Sequence, residues 1–403
     1  MNDWRRPLGM NVLDAARERI STAFDIAERV CVSFSGGKDS TAMLHLVMDE
    51  AIRRDRRVGL LYIDLEAQYQ HTVGHIAEMF DAYKDHVEPH WVSLPLHMRN
   101  AVSQFEHHWV CWDPSRRNDW VREPPGIAIT DETFFPFFRR AMEFEDFVPE
   151  FSEWYAQGRE TASFIGIRTD ESLNRWRTIT SQSKGRVDGH CWTTRKSPNV
   201  FNAYPLYDWR TRDVWIYQGK SGRPYNRLYD RMHQAGLSIH QMRICQPYGD
   251  DQRKGLWLWH IIEPDSWGRV VARVNGANQG ALYAGESGNI LGNIKVSLPD
   301  GHTWKSFSKM LLDTMPKQIA EHYERKILVF LHWYSERGYP NDIPDEGPIT
   351  NAQGQPSWKR ICKALLRNDY WCRGIGFSQH KTGAYENYKR IMARRKDEWG
   401  IEI

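Results

Sequence analysis

Apolar residues in the first part of the chain follow two different spacings. Between residues 10 and 28 they recur every three or four positions, which predicts an amphipathic helix. A continuous apolar run at 30–34 predicts a buried strand, the stretch 40–53 a second helix, and the run at 58–63 a second strand. A strand, a helix and a strand in direct succession are typical of a parallel βαβ unit, whose ligands bind at the carboxyl ends of the strands.

Weaker patterns continue this organisation along the chain. Residues 74–90 predict a helix, 91–94 a short strand, 162–167 a buried strand, and 204–217 a further strand–helix segment. The residues from about 100 to 155 are dense in aromatic and charged side chains, and we expect them to form an insertion that covers the sheet edge. Whether it is a lid or an oligomer interface stays open, and the sequence is compatible with a homo-oligomer.

The pattern changes after about residue 240. Short β-like runs with Gly, Asn and Trp come first, and helical stretches at 305–337 and 357–396 follow. We therefore predict two domains. Residues 1–235 form an α/β domain with a parallel sheet, and residues 236–403 form a second, smaller α+β domain.

Composition argues against disorder and against a membrane span. Hydrophobic residues make up 41% of the 403 residues and aromatic residues 13%, unlike disordered chains. No apolar run approaches the roughly 18 residues of a transmembrane helix, and the first residues lack the apolar core of a signal peptide. We expect a cytoplasmic protein without a membrane partner.

The six cysteines are scattered and form no CxxC or CC pair. They are Cys31, Cys111, Cys191, Cys245, Cys362 and Cys372. A disulfide framework, a zinc site or an iron–sulfur cluster in a cytosolic protein needs ligands at short spacing. We predict free, buried thiols, and neither zinc nor an iron–sulfur cluster.

Net charge is only +3, but basic residues concentrate near the end of the chain. Residues 356–396 are rich in Lys and Arg, with aromatic side chains interleaved. Such a surface suits a nucleic-acid partner. A solvated helical face is the alternative interpretation.

The segment VSFSGGKDST, residues 32–41, carries the most specific chemistry. Tandem glycines after a strand let backbone N–H groups approach phosphate oxygens, and the helix that follows adds a favourable dipole. Lys38 supplies a positive charge, and Ser35 and Ser40 supply hydroxyl groups. Because the glycines are adjacent and Lys38 follows at once, the segment is neither a GxxxxGK[ST] loop nor a dinucleotide GxGxxG motif.

SGGKDS after a strand resembles the PP-loop of the adenine-nucleotide α-hydrolase superfamily, the ATP pyrophosphatases. "GIRTDESLNR" (166–175), "YPLYDWRTRDVWIY" (204–217) and "PYNRLYDRM" (224–232) resemble segments of the phosphoadenylyl-sulfate reductase and sulfate adenylyltransferase small-subunit group. The agreement in order covers about residues 10–235. It implies an adenine-nucleotide α-hydrolase-like α/β domain that binds ATP.

In that superfamily the loop holds the pyrophosphate end of ATP, attack falls on the α-phosphorus, and Mg²⁺ assists. The implied nucleotide- and phosphate-binding residues are Ser33, Ser35, Gly36, Gly37, Lys38, Asp39, Ser40 and Asp64. The implied catalytic residues are Lys38, Asp39, Arg168 and Arg175, and the implied magnesium ligands are Asp39 and Asp64. Helix capping is the alternative role for Asp64.

Two carboxylates follow Arg168 in the GIRTDESLNR segment. We expect Asp170 and Glu171 to contact the substrate, while Arg168 and Arg175 serve anionic groups that suit the guanidinium fork. The alternative is that Asp170 and Glu171 hold these arginines in internal salt bridges.

The chain departs from the reductases of this group in its cysteines. Those enzymes carry a catalytic cysteine in an ECGLH-type motif, whereas Cys245 stands alone here, and we favour a buried structural role for it. We therefore expect an ATP pyrophosphatase or adenylyltransferase type of enzyme rather than a thiol-dependent reductase.

The C-terminal part resembles the domain of unknown function that is fused to this loop in proteins similar to a prophage-gene coactivator. That resemblance implies a prophage or defence setting and a ParB-like nuclease-fold partner. The candidate substrate residues of this part are Gln246, Asp250, Arg253, Glu263, Trp267 and Asn275. An ordinary β-surface with polar turns is the alternative.

Two functions of different classes follow. The first is an enzyme that cleaves ATP at the α-phosphorus to activate a nucleotide, nucleic-acid or sulfur-containing substrate. The second is a non-catalytic, nucleotide-sensing transcriptional coactivator that binds DNA or a protein.

Overall fold

The computed structural model divides the chain into two compact units. It describes residues 9–100, 102–103, 106, 108–180, 185–244, 246–249, 255–278, 298–315, 317–336, 342–346, 357–366, 369 and 372–376. The first unit consists of Met1–Arg99 with His108–Asn275, and the second of Asn100–His107 with Gly276–Ile403. This division falls at Asn275, later in the chain than the boundary after residue 235 that the sequence predicts.

A six-stranded sheet forms the centre of the first unit. The strands of the chain are β1 (Arg29–Ser33), β2 (Val58–Ile63), β3 (Val87–Val92), β4 (His97–Arg99), β5 (His108–Val110), β6 (Thr161–Ile165), β7 (Thr193–Ser197) and β8 (Val200–Ala203). The sheet order is β3-β2-β1-β6-β8-β7, and β4 and β5 form a separate antiparallel pair. All neighbours in the large sheet are parallel except β7 and β8, so the predicted parallel α/β fold is confirmed.

The helices of the first unit pack on this sheet. They are α1 (Val12–Ile26), α2 (Lys38–Arg53), α3 (Gln70–Ala82), α4 (Phe144–Ala156), α5 (Leu173–Thr180), α6 (Thr211–Ser221), α7 (Leu228–Gln234), α8 (Leu256–Ile262) and α9 (Pro264–Arg273). The Asn11 side chain caps α1 by accepting the Asp14 N–H at 2.9 Å, and α2 lies buried along most of its length. Parallel strands β1 and β2 joined by α2 bring the glycine loop to the carboxyl edge of the sheet.

The predicted elements at the start of the chain agree with the structure to within a few residues. The 74–90 prediction is only partly right, because α3 ends at Ala82 and β3 already begins at Val87. Strand β3 lies at the sheet edge, where Ile129 of the aromatic-rich segment donates its N–H to Trp91 O at 2.7 Å. The segment therefore extends the sheet edge.

The β-like runs predicted after residue 240 are wrong for residues 256–273, which form α8 and α9. Proline at the first position of α9 lacks an N–H group that would have no helical partner there, so Pro264 favours the helix start. Trp267 and Val270 are buried three residues apart on one face. The strand preference of Trp, Ile and Val depends on their surroundings, and helical packing overrides it here.

The described part of the second unit is helical. Its helices are α10 (Trp304–Thr314), α11 (Lys317–Ser335) and α12 (Trp358–Leu366), and they share one hydrophobic core. These residues include no strand, so the α+β prediction is corrected to a helical region. None of the described helices is both long and apolar enough to cross a membrane.

The basic stretch at 356–396 is described only in part. Lys359 contacts Glu346 at 2.9 Å, and Arg360 donates to Gly374 O at 3.1 Å. The residues from 377 to 396 lie outside the described part of the chain, so the predicted nucleic-acid contact there stays a prediction.

Candidate functional site

The glycine loop connects β1 to α2 and needs glycine at its first turn. Gly36 has φ +70°, a conformation that favours glycine. A Cβ atom at Gly36 would also lie 2.9 Å from Cγ1 of Ile76 and 3.1 Å from Cγ2 of Thr72 on α3. Both constraints explain why the loop after β1 has glycine at position 36.

The loop presents backbone donors that have no partner. Within the described residues, the N–H groups of Gly36, Gly37, Asp39 and Ser40 take part in no hydrogen bond. Lys38, Asp39 and Ser40 are all buried. Unpaired donors at a buried helix N-terminus form a binding site for an anion such as phosphate.

The two serines hold the loop closed on itself. Ser35 donates its N–H to Ser40 Oγ at 3.3 Å, and the two hydroxyl oxygens lie 3.0 Å apart. Ser40 also donates from its hydroxyl group to Gly37 O at 3.1 Å. Ser33 is the last residue of β1 and sets the position from which the loop departs.

A buried chain of charges connects the loop to the segment after β6. Lys38 Nζ lies 3.3 Å from Asp39 Oδ2, and Asp39 Oδ1 accepts a hydrogen bond from Arg168 Nε. The Arg168 side chain is only 2% exposed and reaches Asp170 at 3.7 Å. Arg168 therefore fixes Asp39 and is not open to a phosphate in this conformation.

The other members of this segment form an internal salt bridge. Arg175 Nε lies 2.9 Å from Glu171 Oε2, which also accepts the Arg168 N–H at 3.3 Å. These contacts match the alternative interpretation of Asp170 and Glu171. Arg175 keeps about half of its side chain exposed and stays accessible to an anionic group.

Three residues that sequence reasoning gave no role support the loop from α6, from α7 and from the connection between these helices. Asn226 Nδ2 donates to Gly36 O and to Thr72 Oγ1, both at 3.0 Å. The Tyr229 hydroxyl group accepts the Lys38 N–H at 2.9 Å, and Gln218 Nε2 donates to Lys38 O at 3.2 Å. The segment PYNRLYDRM supplied a family signal, but only the fold shows what its Asn and Tyr contact.

Gly166 is a further residue that sequence reasoning left without a role. A Cβ atom there would lie 3.0 Å from both Cα and N of Ser40. Backbone atoms cannot move aside as a flexible side chain does. Gly166 therefore lets the end of β6 approach the first turn of α2.

Asp64 lies in a separate buried ion pair. Its Oδ1 atom accepts from Arg122 Nη2, and its Oδ2 atom accepts from Trp91 Nε1 at 2.9 Å. Asp64 Oδ1 also accepts the Glu66 N–H at 3.1 Å. With both oxygens engaged and the residue fully buried, this conformation favours a structural role over the predicted nucleotide contact.

The expected magnesium ligands do not share an open site. The Asp39 carboxylate pairs with Lys38 and Arg168, and the Asp64 carboxylate pairs with Arg122. No group of three or more His, Cys, Asp or Glu side chains among the described residues is arranged to hold a metal ion. In this conformation, both carboxylates are thus engaged by cationic side chains, and Mg²⁺ would have to compete with these pairs.

Residues 242–244, 246–249 and 255–273, here called the cover segment, pack on the carboxyl edge of the sheet. Met242 O lies 3.5 Å from Lys38 Nζ at one end. Further along, Trp259 stacks on Tyr69 with ring centroids 3.8 Å apart. The cover segment thus runs from the glycine loop to the start of α3.

Glu263 belongs to the cover segment and caps α3. Its carboxylate accepts the backbone N–H of Gln70 at 2.8 Å and that of His71 at 3.1 Å, and Oε1 lies 2.7 Å from His71 Nδ1. Glu263 is buried. The sequence predicted that Glu263 contacts the substrate. In the structure its carboxylate instead accepts backbone N–H groups at the start of α3 that have no partner within the helix.

A second buried ion pair joins the cover segment to the loop after β2. Glu66 accepts from Arg273 Nε at 3.0 Å and from Arg273 Nη2 at 3.2 Å. It also accepts the N–H groups of Trp112 at 2.7 Å and Val121 at 3.0 Å. Burial raises the pKa of the Glu66 carboxyl group, and Arg273 and the two backbone donors oppose that rise.

Three of the remaining predicted residues belong to the described part of the chain. Trp267 is buried in α9, Gln246 is half-buried, and Asn275 ends the first unit. Asp250, Arg253 and Cys245 lie outside the described residues. The substrate role of Gln246, Asp250, Arg253, Trp267 and Asn275 and the structural role of Cys245 stay predictions.

The described cysteines are free thiols, and all but Cys191 are buried as predicted. Burial raises the pKa of Cys31 to about 12 and also raises that of Cys111, so neither is readily ionised. Cys191 is exposed and lies 3.7 Å from the Tyr207 hydroxyl group.

Comparisons with known proteins identify the family of the chain. Residues 29–236 match the phosphoadenosine phosphosulfate reductase domain, and residues 236–341 and 339–386 match the domain of unknown function DUF3440. The chain therefore belongs to the phosphoadenosine phosphosulfate reductase domain family, extended by DUF3440. The expected reductase-like domain followed by a domain of unknown function is confirmed, whereas the resemblance to a prophage-gene coactivator stays a prediction. The cover segment is the part of the DUF3440 match that packs on the reductase-like domain.

One relative spans the whole chain. The uncharacterized protein YbdN of Escherichia coli (strain K12) is 44% identical over 404 residues, which cover 100% of this chain and 99% of that protein. Among solved structures, phosphoadenylyl-sulfate reductase from Candida auris is 14% identical with a TM-score of 0.33, covering 57% of this chain and 87% of that one. FMN adenylyltransferase from Candida glabrata in complex with ATP is 14% identical with a TM-score of 0.30, covering 56% and 62%.

Proposed function

We propose that this protein binds ATP at the glycine loop and cleaves it between the α- and β-phosphates, releasing pyrophosphate. The observation that carries the proposal is the set of unpaired N–H groups at Gly36, Gly37, Asp39 and Ser40 at a buried helix N-terminus. These donors match the oxygens of a pyrophosphate group.

The loop would act as a clamp on the leaving group. Negative charge grows on the pyrophosphate as the α–β bond breaks, and fixed N–H donors in a buried site stabilise that charge without reorganisation. Lys38 contributes a positive charge once it turns from Asp39 and Met242 O towards the phosphates. Arg168 holds Asp39 in place and so keeps the loop in its binding conformation.

The acceptor of the adenylyl group is part of the proposal. A nucleotide, a nucleic acid or a sulfur-containing substrate fits the family, and a ParB-like protein is the proposed partner. A thiol-dependent reductase is less well supported, because the sequence lacks the ECGLH-type motif that carries the catalytic cysteine of those enzymes.

Product analysis tests the bond assignment. Purified protein is incubated with ATP labelled on the α-phosphate or on the γ-phosphate, with magnesium in the buffer and candidate partner protein added. We expect AMP or an adenylylated product together with pyrophosphate. Lys38→Ala should abolish turnover, whereas Lys84→Ala, at an exposed ion pair with Asp81, should leave it unchanged.

Two other results would contradict the proposal. ADP with inorganic phosphate would place the cleavage at the wrong bond. Tight ATP binding without turnover in every partner mixture would favour the nucleotide-sensing regulator instead.

A further inference from the structure

A basic and aromatic surface lies beside the glycine loop. It consists of Arg175, Trp176 and Arg177 on α5 together with Arg243, and is here called the rim. All four residues are exposed, and Trp176 keeps 48% of its surface in solvent. Trp176 stands between two arginines in the sequence, and such an exposed indole is uncommon because tryptophan is highly buried on average in folded proteins.

Short contacts tie the rim to the phosphate site. Arg243 Nη2 lies 3.4 Å from the backbone oxygen of Glu171. The Glu171 carboxylate accepts the backbone N–H of Arg168, whose side chain donates to Asp39. Met242, the neighbour of Arg243, places its carbonyl oxygen 3.5 Å from Lys38 Nζ. Arg243 and Arg175, which both contact Glu171, therefore adjoin the charge chain that holds the loop, and Trp176 and Arg177 follow Arg175 on α5.

The charges of the rim are only partly neutralised within the protein. Arg175 pairs with Glu171 at 2.9 Å. Arg177 has no hydrogen-bond or ion-pair partner among the residues that the structure describes. Guanidinium groups flanking an exposed aromatic ring can contact phosphates while the ring stacks on a base.

We propose that the rim binds a single-stranded nucleic acid, which is the acceptor substrate of this site. Trp176 stacks on a base, and Arg175, Arg177 and Arg243 contact the backbone phosphates. That the nucleic acid is the acceptor of the adenylyl group rests on the proposed function. That it binds at the rim does not. It also places nucleic acid near the glycine loop instead of along residues 356–396.

Fluorescence anisotropy tests the binding claim with the full chain. The probes are labelled single-stranded RNA and DNA of mixed sequence and about 12 nucleotides, a length within the usual site size. Trp176→Ala should weaken binding roughly tenfold or more, because base stacking on an aromatic side chain is lost. Trp176→Phe keeps an aromatic face and should retain most of the affinity.

Salt dependence separates phosphate contacts from packing effects. Each phosphate contact on a single strand contributes about −0.7 to the slope of log affinity against log salt. Arg177→Ala should therefore weaken binding and make the slope less negative by about that amount. Trp333→Ala, at another exposed tryptophan on α11, is the control and should change neither quantity.

Three outcomes would overturn the inference. The first is that neither probe binds at low salt, and the second is that wild type and Trp176→Ala bind with equal affinity. The third is that rim variants lose binding to a protein ligand but keep binding to the oligonucleotides. The two proposals fail separately. Oligonucleotide binding without ATP cleavage removes the proposed reaction alone, and ATP cleavage without oligonucleotide binding removes the rim alone.

Discussion

Replacing Glu66 by glutamine should destabilise the first unit strongly. Glu66 is fully buried, and the Arg273 side chain is 2% exposed. Each carboxylate oxygen serves two donors. Oε1 accepts from Arg273 Nε and Val121 N, and Oε2 accepts from Trp112 N and Arg273 Nη2.

Glutamine keeps the shape but replaces one oxygen by an amide NH₂ group. Two donors then lose their acceptor, at about 1–3 kcal/mol each. Arg273 also keeps its charge without a carboxylate, and breaking such a buried pair typically costs about 3–5 kcal/mol. The first route gives about 2–6 kcal/mol and the second about 3–5 kcal/mol, so we expect a loss of about 3–5 kcal/mol in the free energy of unfolding.

Urea unfolding followed by circular dichroism measures this loss. Glu150→Gln is the matched control, since the Arg139–Glu150 pair is 55% and 37% exposed and should contribute under about 1 kcal/mol. Glu66→Leu combined with Arg273→Met should cost less than the sum of the single changes, because it removes both charges. A loss below about 1 kcal/mol for Glu66→Gln would refute the reasoning.

Three more predictions concern the loop and its supports. Gly166→Ala places a methyl group 3.0 Å from Ser40 backbone atoms, so we expect ATP affinity to fall at least tenfold in calorimetric titration, for an overpacking cost of about 1–3 kcal/mol. Unchanged affinity would contradict the close approach. Tyr229→Phe leaves the buried Lys38 N–H without an acceptor and should lower unfolding free energy by about 1–3 kcal/mol in urea titration; no change would show that this bond is not formed. Burial, and to a lesser extent His45, lowers the pKa of His75 to about 4 from 6.5, so only the unfolded state gains a proton between these values. The His75 contribution to the free energy of unfolding should be constant above pH 6.5 and fall by on the order of 3 kcal/mol between pH 6.5 and pH 4. Urea unfolding at several pH values measures this loss, and His75→Gln should not show it.

Local signals in the sequence were sufficient for the core of the fold. The apolar runs of β1 and β2 and the adjacent glycines before Lys38 depend on nearest neighbours only, and the structure places all of them as predicted. The helices α8 and α9 were missed because Trp, Ile and Val have strand preferences that tertiary packing overrides.

The contacts that shape the site come from residues far apart in the chain. Arg273 and Glu66 are 207 positions apart, and Lys38 and Tyr229 are 191 positions apart. No spacing rule connects such residues. The interpretation of Arg168 as a phosphate ligand likewise could not anticipate that Asp39 would occupy its guanidinium group.

A crystal structure with α,β-methylene-ATP tests the central claim most directly, because this analogue carries an uncleavable bond at the proposed position. We expect β- and γ-phosphate oxygens about 2.7–3.2 Å from the backbone nitrogens of Gly36, Gly37, Asp39 and Ser40. We also expect Lys38 Nζ to leave Met242 O for the phosphates. A triphosphate bound elsewhere, with those four N–H groups still unpaired, would contradict it.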